Sequence, residues 1–454
     1  MKNVINAMCV ASALLVGAAC NHDNENYCEG APQNDCRALV DGRVDGPVTG
    51  CKAAPDKCTG DKPVCDMTTD TCVPCLGNNV EDMSCPAAAP VCSSQACGVC
   101  TEDAQCTSKT CLADGTCAVA SAVLYASPSG SGSACTPASK CGIADAVAAV
   151  SDTRNVIHLD AGSYVYTTPT TLSFPKSATI VGRGATIDRQ SGGNNATLTV
   201  PIGSSNLTVD FATVTGGDGA QGHGISCLGT GAILVRKAEI GNNGGAGISG
   251  GGCTVTVTGA TVTTNTGGGI TATGGTVTVT GATVTTNSGG GISLTNSGFK
   301  LVNNFIVHNG NSVSAAAGGV SITTPTSPKI FEFNTVADND AIATASGGIG
   351  GVKCLGTDIK LVNSILSNNR AGNNNAAATA QTDAICVLSS TASLASAATV
   401  KFKNDQTAPF DYHISNGSVA IDAAATASTV DKDFDGDARP QGAGKDQGAD
   451  EFKP

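Results

Sequence analysis

Tryptophan is absent from this 454-residue sequence, and aromatic residues make up only 3% of it. Basic residues are also scarce, since 25 lysines and arginines face 37 aspartates and glutamates, for a formal net charge of -12. The sequence contains no basic run, so it lacks the positive patch that binding to a phosphate backbone requires. Nucleic acid is therefore not expected as a partner.

The abundant residues are glycine, with 57 copies, and threonine, alanine and valine in the background. This composition is typical of short stacked strands joined by tight turns, and it argues against an all-α fold. A chain of this length is expected to contain two or three domains. The sequence therefore predicts an all-β protein made of unlike segments.

The N-terminus has the layout of an export signal. Lys2 is followed by an uncharged stretch from Ala7 to Ala19, which is too short to span a bilayer. We expect a signal peptide at residues 1–19, a lipid on Cys20 and an anchored linker at residues 20–57, with plain secretion as the alternative. If Cys9 leaves with the signal and Cys20 carries lipid, an even set of 20 of the 22 cysteines is left for disulfides.

Residues 28 to 117 hold fourteen cysteines and few large apolar residues. Within residues 58–117 two related motifs follow each other, C-x6-C-x6-C-x2-C from Cys58 and C-x6-C-x4-C-x2-C from Cys85. The two C-x2-C pairs could hold zinc, but an exported segment lies in an oxidising compartment, where cysteines form disulfides. The sequence therefore predicts a small disulfide-rich region in place of a hydrophobic core.

From residue 122 onward the sequence changes to strands and turns. A helix near residues 142–150 is expected to cap the core, with Cys135 and Cys141 paired just before it. CTVTVTGATVTTNTGGGI and GTVTVTGATVTTNSGGGI are near-copies offset by 22 residues, which indicates one coil of a solenoid. Alternating threonine and valine puts the valines inside and the threonines outside. This solenoid is predicted to occupy residues 122–410.

One position of the coil is repeatedly asparagine. A stacked amide can donate to one neighbouring coil and accept from the other, and asparagine tolerates turn geometry. We therefore interpret this set as a structural ladder without a catalytic role. Its members are Asn243, Asn265, Asn287, Asn309, Asn339 and Asn369.

These features resemble the bacterial right-handed parallel β-helix proteins of the pectin-lyase-like fold. The opening YASPSGSGSAC, followed by an alanine-rich helix and IHLDAGSY, is similar to the start of such domains in surface lipoproteins. The close, AIDAAATASTVDKDFDGDARPQGAGKDQGADEF, is similar to the choice-of-anchor Q segment of bacterial surface β-helices. The resemblance implies a C-terminal cap at residues 411–454. The sequence shows no sorting tail after it, so anchoring is expected to come from Cys20.

The same fold family includes polysaccharide lyases and hydrolases, so catalysis depends on particular residues. Gly222-His223-Gly224 copies the tripeptide of galacturonases, but no acidic pair accompanies it, and we expect a glycine-rich turn with a surface histidine. Between Gly224 and Lys329 acidic residues are almost absent, and Arg236 with Lys237 is expected to be a solvated face.

Near the C-terminus three aspartates imitate the start of a calcium loop, namely Asp431, Asp433 and Asp435. The twelfth position is Gly442, where an EF-hand has glutamate. Calcium is the only cofactor considered, and the alternative is a polar turn whose carboxylates receive Arg439 and backbone amides.

The sequence favours an exported, lipid-anchored scaffold at the cell surface or outer membrane that binds, adheres or displays without catalysis. The alternative is a polysaccharide-active enzyme, which would be favoured if folding brought Asp or Glu together with Arg, Lys or His in one groove. A polysaccharide or another cell-surface component is the expected partner, and the membrane is contacted only through the lipid. Ligand contact is expected at three inserted loops, residues 312–319, 341–350 and 370–382.

Overall fold

The computed structural model describes residues 51–52, 55, 58–166, 172–190, 193–342, 347–372, 381–389, 400–424 and 427–454. The predicted signal peptide and Cys20 lie outside these residues. The described residues form two compact units, one with residues up to 78 and 92–97, the other with 79–91 and 98–454. In the part of the chain that the structure describes, no helix is long and apolar enough to cross a membrane.

The smaller unit is held together by disulfides. An antiparallel pair, Val64–Asp66 and Thr71–Val73, places Cys65 opposite Cys72. Disulfides join Cys51 to Cys65, Cys58 to Cys72 and Cys75 to Cys92. Cys72 and Cys75 thus belong to disulfides, so the prediction of disulfides is confirmed and the zinc alternative does not apply to them.

The larger unit begins with further short elements. They are the strands Val80–Glu81, Val91–Ser93 and Ala96–Gly98, the last two partly in the smaller unit, and the 3-10 helices Asp103–Gln105 and Ala120–Ala122. Two disulfides, Cys100–Cys111 and Cys106–Cys117, follow in residues 98–117. This last part of the predicted disulfide-rich region therefore lies in the same compact unit as the solenoid.

The solenoid has three parallel sheets, each of which receives one strand from successive coils. Sheet 1 contains Val123–Ala126, Val156–Leu159, Ala178–Val181, Asn206–Asp210, Ala232–Arg236, Thr254–Thr258, Thr276–Thr280, Gly298–Val302, Lys329–Glu332, Lys360–Val362 and Val387–Leu388. Sheet 2 contains Gly162–Tyr166, Ala185–Arg189, Thr213–Thr215, Glu239–Gly241, Thr261–Thr263, Thr283–Thr285, Phe305–Val307, Thr335–Ala337 and Ile365–Ser367. Sheet 3 contains Leu172–Ser173, Leu198–Val200, Ile225–Cys227, Ala246–Gly251, Gly268–Thr273, Ile292–Thr295, Val320–Thr323 and Val352–Leu355.

The predicted register of the repeat is confirmed. Val255 pairs with Val277 in sheet 1, and Val262 pairs with Val284 in sheet 2. These valines are fully buried in one continuous core, whereas the alternating threonines are partly exposed. The solenoid is therefore the predicted all-β fold, with hydrophobic residues stacked inside.

A short helix, Ile143–Ala148, packs Ile143 and Ala146 into the N-terminal end of this core. Two minor pairs complete the larger unit, the parallel Asp340–Ala341 with Arg370–Ala371 and the antiparallel Phe402–Asn404 with Asp411–Ile414. The last pair belongs to residues 400–454, which we call the C-terminal segment.

Residues 98–118 cover the outer face of sheet 1 over its first coils. Tyr125 donates a hydrogen bond from its hydroxyl to the Ser108 carbonyl. Arg236 donates to both oxygens of the buried Asp210, at 2.8 and 2.7 Å, and to Asp114 at 2.8 Å. The expectation that Arg236 belongs to a solvated face is therefore wrong, because this segment covers it and supplies a second carboxylate.

Candidate functional site

The outward side chains of sheet 2 change in character along the solenoid. The threonines of the strands Thr261–Thr263 and Thr283–Thr285 are partly exposed, whereas Phe305 and Val307 in the next coil are buried. They form a separate hydrophobic cluster with Ile365 and with C-terminal residues such as Phe402 and Tyr412. The C-terminal segment thus packs on the last coils of sheet 2 and leaves the threonine coils uncovered.

A groove lies at this boundary. Its volume is about 950 Å³, with Thr283, Thr285 and Thr286 on the solenoid side and Phe410, Asp411 and His413 on the side of the C-terminal segment. Hydroxyls on one wall and an aromatic ring with charged groups on the other make a surface that can hydrogen-bond and stack.

Phe410 is the exposed aromatic ring of the groove. Its side chain is 43% exposed, and its ring lies 3.8 Å from that of His308, centroid to centroid, at an interplanar angle of 33°. Deeper in the groove, the rings of Phe305 and Phe434 are 4.5 Å apart. Because one face of Phe410 rests on His308, its orientation is set before any ligand arrives.

A histidine between two carboxylates lies next to these rings. His413 Nδ1 is 2.5 Å from Asp411 Oδ1, and His413 Nε2 is 3.1 Å from Asp435 Oδ2. Burial alone would raise the pKa of Asp411, but hydrogen bonds from the ring and the backbone amide of His413 lower it below its usual value. Asp411 is therefore ionised at neutral pH.

Behind Phe410, a chain of hydrogen bonds links the C-terminal segment to two coils. The Tyr412 hydroxyl donates to Asp338 Oδ2 at 2.6 Å and lies 2.8 Å from His308 Nε2. Since the hydroxyl has one hydrogen, His308 Nε2 is the donor to its oxygen. Burial lowers the pKa of His308. Burial and the neighbouring Asp338 raise the pKa of Tyr412. Both side chains are therefore neutral at pH 7.

The same corner contains further charged groups. Asp338 also accepts a hydrogen bond from Asn368 and lies 3.8 Å from the Arg370 guanidinium. Asp340 is the strand partner of Arg370. The pKa of the Asp340 carboxyl is raised overall, because burial raises it more than the charge of Arg370 lowers it. Aspartates, an arginine and a histidine are therefore brought together, which the sequence analysis named as the arrangement that would favour an enzyme.

Comparison with known proteins identifies the fold. A family described as a right handed beta helix region matches residues 200–358. The solenoid is a right-handed parallel β-helix. No curated protein matches the sequence. The crystal structure of pectate lyase Pel9A is similar with a TM-score of 0.46 and 16% sequence identity, over 73% of this chain and 96% of that one.

The six ladder asparagines stack along one corner of the β-helix, fully or almost fully buried. Each donates from Nδ2 to Oδ1 of the next asparagine at 2.9 to 3.0 Å, and Asn369 ends the series on Gln381 Oε1 at 2.6 Å. A second, shorter series was not expected from the sequence. In it Asn304 Nδ2 donates to Asn334 Oδ1 at 2.8 Å, and the backbone amide of Asn334 donates to Ser364 Oγ at 3.0 Å. The signal available in the sequence was a change of residue type at one coil position, from alanine to polar residues. This position is occupied in successive coils by Ala260, Ala282, Asn304, Asn334 and Ser364.

The cysteines of the β-helix pair within it. Disulfides join Cys135 to Cys141 beside the capping helix, Cys227 to Cys253 and Cys354 to Cys386. The last two connect adjacent coils, and all six sulfur-bearing side chains are buried. These covalent links support the ends and the middle of the solenoid.

His223 is partly exposed and lies in a glycine-rich turn. Its Nδ1 accepts a hydrogen bond from the Ala246 amide at 2.9 Å, and burial lowers its pKa. Because this nitrogen is held by the next coil, the histidine stabilises a turn. It takes no part in the groove.

The aspartates considered for calcium serve different partners. Asp433 is buried and accepts from the Asp437 and Glu451 amides at 2.8 and 3.0 Å. Asp435 lies against His413, and Asp431 accepts the Arg439 amide through its carbonyl. Asp433 and Asp435 therefore already serve protein partners, as the carboxylates of a polar turn do.

Of the three inserted loops, residues 312–319 are described throughout. Val313 at its tip is 80% exposed, and the Asn311 side chain accepts the Val313 and Ser314 amides. Residues 343–346 and 373–380 of the other two loops lie outside the described residues. The loops leave the β-helix beside the corner that holds His308, Asp338 and Arg370.

Proposed function

We propose that the protein is an exported, lipid-anchored cell-surface β-helix protein that binds polysaccharide without cleaving it, and that the groove is its binding site. The observation that carries this proposal is the exposed Phe410 ring, fixed on His308 opposite the hydroxyls of Thr283 and Thr285. Sugar rings present a weakly polar face that stacks on aromatics and a rim of hydroxyls that hydrogen-bond. In the groove, the Phe410 ring can stack on the face of a sugar, and the hydroxyls of Thr283 and Thr285 can hydrogen-bond to its hydroxyls.

Export is supported by the cysteine chemistry. Disulfides lie in both compact units and inside the β-helix core, and they persist in oxidising compartments. The lipid on Cys20 rests on the sequence alone, through the export signal and the even number of cysteines that is left. Mass spectrometry of the protein from membranes tests it, because a diacylglycerol adduct on Cys20 is expected and an unmodified N-terminal Cys20 would contradict it.

Phe410→Ala is expected to weaken polysaccharide binding at least tenfold, because the substitution removes the stacking surface and about 1.5 kcal/mol of contact energy. Binding of the full mature protein to immobilised neutral and charged polysaccharides is measured by affinity electrophoresis and calorimetry. Phe410→Tyr, which keeps the ring, is expected to bind as the unmodified protein does.

The matched control is Ile202→Ala, which removes another exposed apolar side chain, 86% exposed, from a different coil. It is expected to leave binding unchanged. If Phe410→Ala and Ile202→Ala behave alike while the unmodified protein binds polysaccharide, the binding site is not the groove.

A polysaccharide-active enzyme is the second candidate, and one observation favours it. Burial raises the pKa of Asp340, beside Arg370 and near His308, which is the direction of shift that a general acid needs. One observation opposes the enzymatic candidate. The Tyr412 hydroxyl and the Asn368 side-chain amide already donate hydrogen bonds to the two oxygens of Asp338. Asp338 is therefore a positioning residue in this corner.

Incubation with the polysaccharides that bind is expected to release no new reducing or unsaturated ends. Asp340→Asn preserves shape and removes the ionisable group, so it should leave binding as it was. Release of ends that is lost in Asp340→Asn would replace the binding proposal with the enzymatic one.

A further inference from the structure

The groove has a definite charge. Asp411 and Asp435 flank His413. The charge of Asp405 acts to raise the pKa values of the neighbouring His308 and Tyr412. Lys403 also lines the groove. Three carboxylates and one lysine therefore lie in or beside the C-terminal side of the groove.

Both flanking carboxylates face solvent. The side chain of Asp411 is 40% exposed and that of Asp435 is 48% exposed. Even a protonated His413 would neutralise only one of the two. Lys403 helps to lower the pKa of Asp411 and so lies near it, but one lysine against three carboxylates leaves a net negative charge beside the aromatic rings at neutral pH.

This combination discriminates among polysaccharides. A polyuronate carries a carboxylate on each sugar and would be repelled both by the groove and by a protein of net charge -12. An ammonium group is attracted to carboxylates and to the face of an aromatic ring, and the groove presents both through Asp411 and Phe410. Asp435 lies beside the groove, against the His413 ring.

We infer that the groove binds a polysaccharide of amino sugars with free, protonated amino groups. This inference rests on the proposed function and adds the class of ligand. The sugar ring stacks on Phe410 and hydrogen-bonds to Thr283 and Thr285, while the ammonium group of the same or the next sugar lies by Asp411 and Asp435.

The test compares two probes with one backbone, glucosamine oligosaccharides and their fully N-acetylated counterparts, with oligogalacturonate as the anionic probe. The full mature protein is expected to bind the glucosamine oligomer at least tenfold more tightly than the N-acetylated one. Raising the salt concentration should reduce this difference, since exposed charges are screened. Oligogalacturonate should bind most weakly.

Asp411→Asn with Asp435→Asn should lower the affinity for the glucosamine oligomer at least fivefold and leave that for the N-acetylated oligomer unchanged. The side-chain oxygen that Asp411→Asn retains can still accept the His413 amide, so the turn is preserved. Asp152→Asn is the control for each groove substitution made singly, because Asp152 is 90% exposed, lies in another part of the chain and removes the same single negative charge.

The outcomes separate the two proposals. Equal or tighter binding of the N-acetylated oligomer, or of oligogalacturonate, would overturn the amino-sugar inference and keep a polysaccharide-binding groove. Equal losses in Asp152→Asn and in the groove variants would also overturn it, since the effect would then come from net charge. No binding of any polysaccharide would overturn both proposals.

Discussion

Asn287→Ala is expected to lower the free energy of unfolding by about 4 kcal/mol, because several buried polar groups lose their partners at once. Asn287 Oδ1 accepts from the backbone amide and from the side chain of Asn265, at 3.0 and 2.9 Å. Its Nδ2 donates to the Val262 carbonyl and to Asn309. Alanine would leave the Asn265 donors and the Val262 carbonyl unpaired in a core that water does not reach.

Denaturant unfolding followed by far-UV circular dichroism measures the loss, and amide hydrogen exchange locates it. Faster exchange is expected in the coils on both sides of Asn287. The control is Asn242→Gly, which removes an exposed amide beside the ladder and suits the φ of 56° at that position. A loss of less than about 1 kcal/mol is expected there. Equal losses in both variants would show that the ladder contributes no more than a surface turn.

The β-helix could be predicted because its information is local and repeated. Two copies of one 22-residue coil define which residues point inward, and each coil pairs only with its neighbours. The same phase then locates the strands whose sequences have diverged, as in the pairs Leu301 with Phe331 and Ile306 with Val336. Inserted loops do not disturb this register, since they leave at one corner.

The groove could not be predicted, because it depends on contacts between distant parts of the chain. Tyr412 and His308 are 104 residues apart, and residues 400–454 contain no repeat that would specify a face of the β-helix. The sequence offered one indirect signal. The outward residues of sheet 2 change from threonine to Phe305 and Val307, which indicates that something covers those coils, but not what covers them.

Contacts between distant parts of the chain also explain why the prediction for Arg236 was wrong. Its position on an outward strand face predicted exposure, and the partner Asp114 is 122 residues away in the disulfide-rich sequence. The sign available in the sequence was an acidic residue, Asp210, at the same strand position one coil before Arg236, and the structure shows that its carboxylate is buried. A carboxylate that cannot reach water needs a cation, and the strand pairing supplies Arg236.

The C-terminal segment should depend on Arg439 more than on any exposed charge. The guanidinium of Arg439 is buried, donates to Glu451 Oε2 at 2.9 Å and to four backbone carbonyls, and lies over the Phe333 ring of the β-helix at 4.4 Å. Arg439→Met would leave the buried Glu451 carboxylate without its cation. Removing one member of a buried ion pair costs about 3 to 5 kcal/mol.

Lys432→Met is the matched control, because it removes an exposed positive charge from the same segment. Thermal unfolding and limited proteolysis of both variants are compared with those of the unmodified protein. Glu451→Gln in the Arg439→Met background should recover part of the loss, since it removes the unpaired charge and keeps Oε1 as the acceptor for the Gln441 amide. A loss in Lys432→Met as large as that in Arg439→Met would contradict a specific role for the buried pair.

Arg439→Met should act on the groove and leave the β-helix folded. The coils keep their ladder and core, so the far-UV spectrum is expected to persist at low temperature. The segment that supplies Phe410 and His413 would detach from Phe305 and Ile365, which expose an apolar face when uncovered. Binding of a hydrophobic dye should therefore rise as polysaccharide binding falls. Full polysaccharide affinity in a variant whose C-terminal segment is cut by protease would place the binding site on the coils, away from the groove.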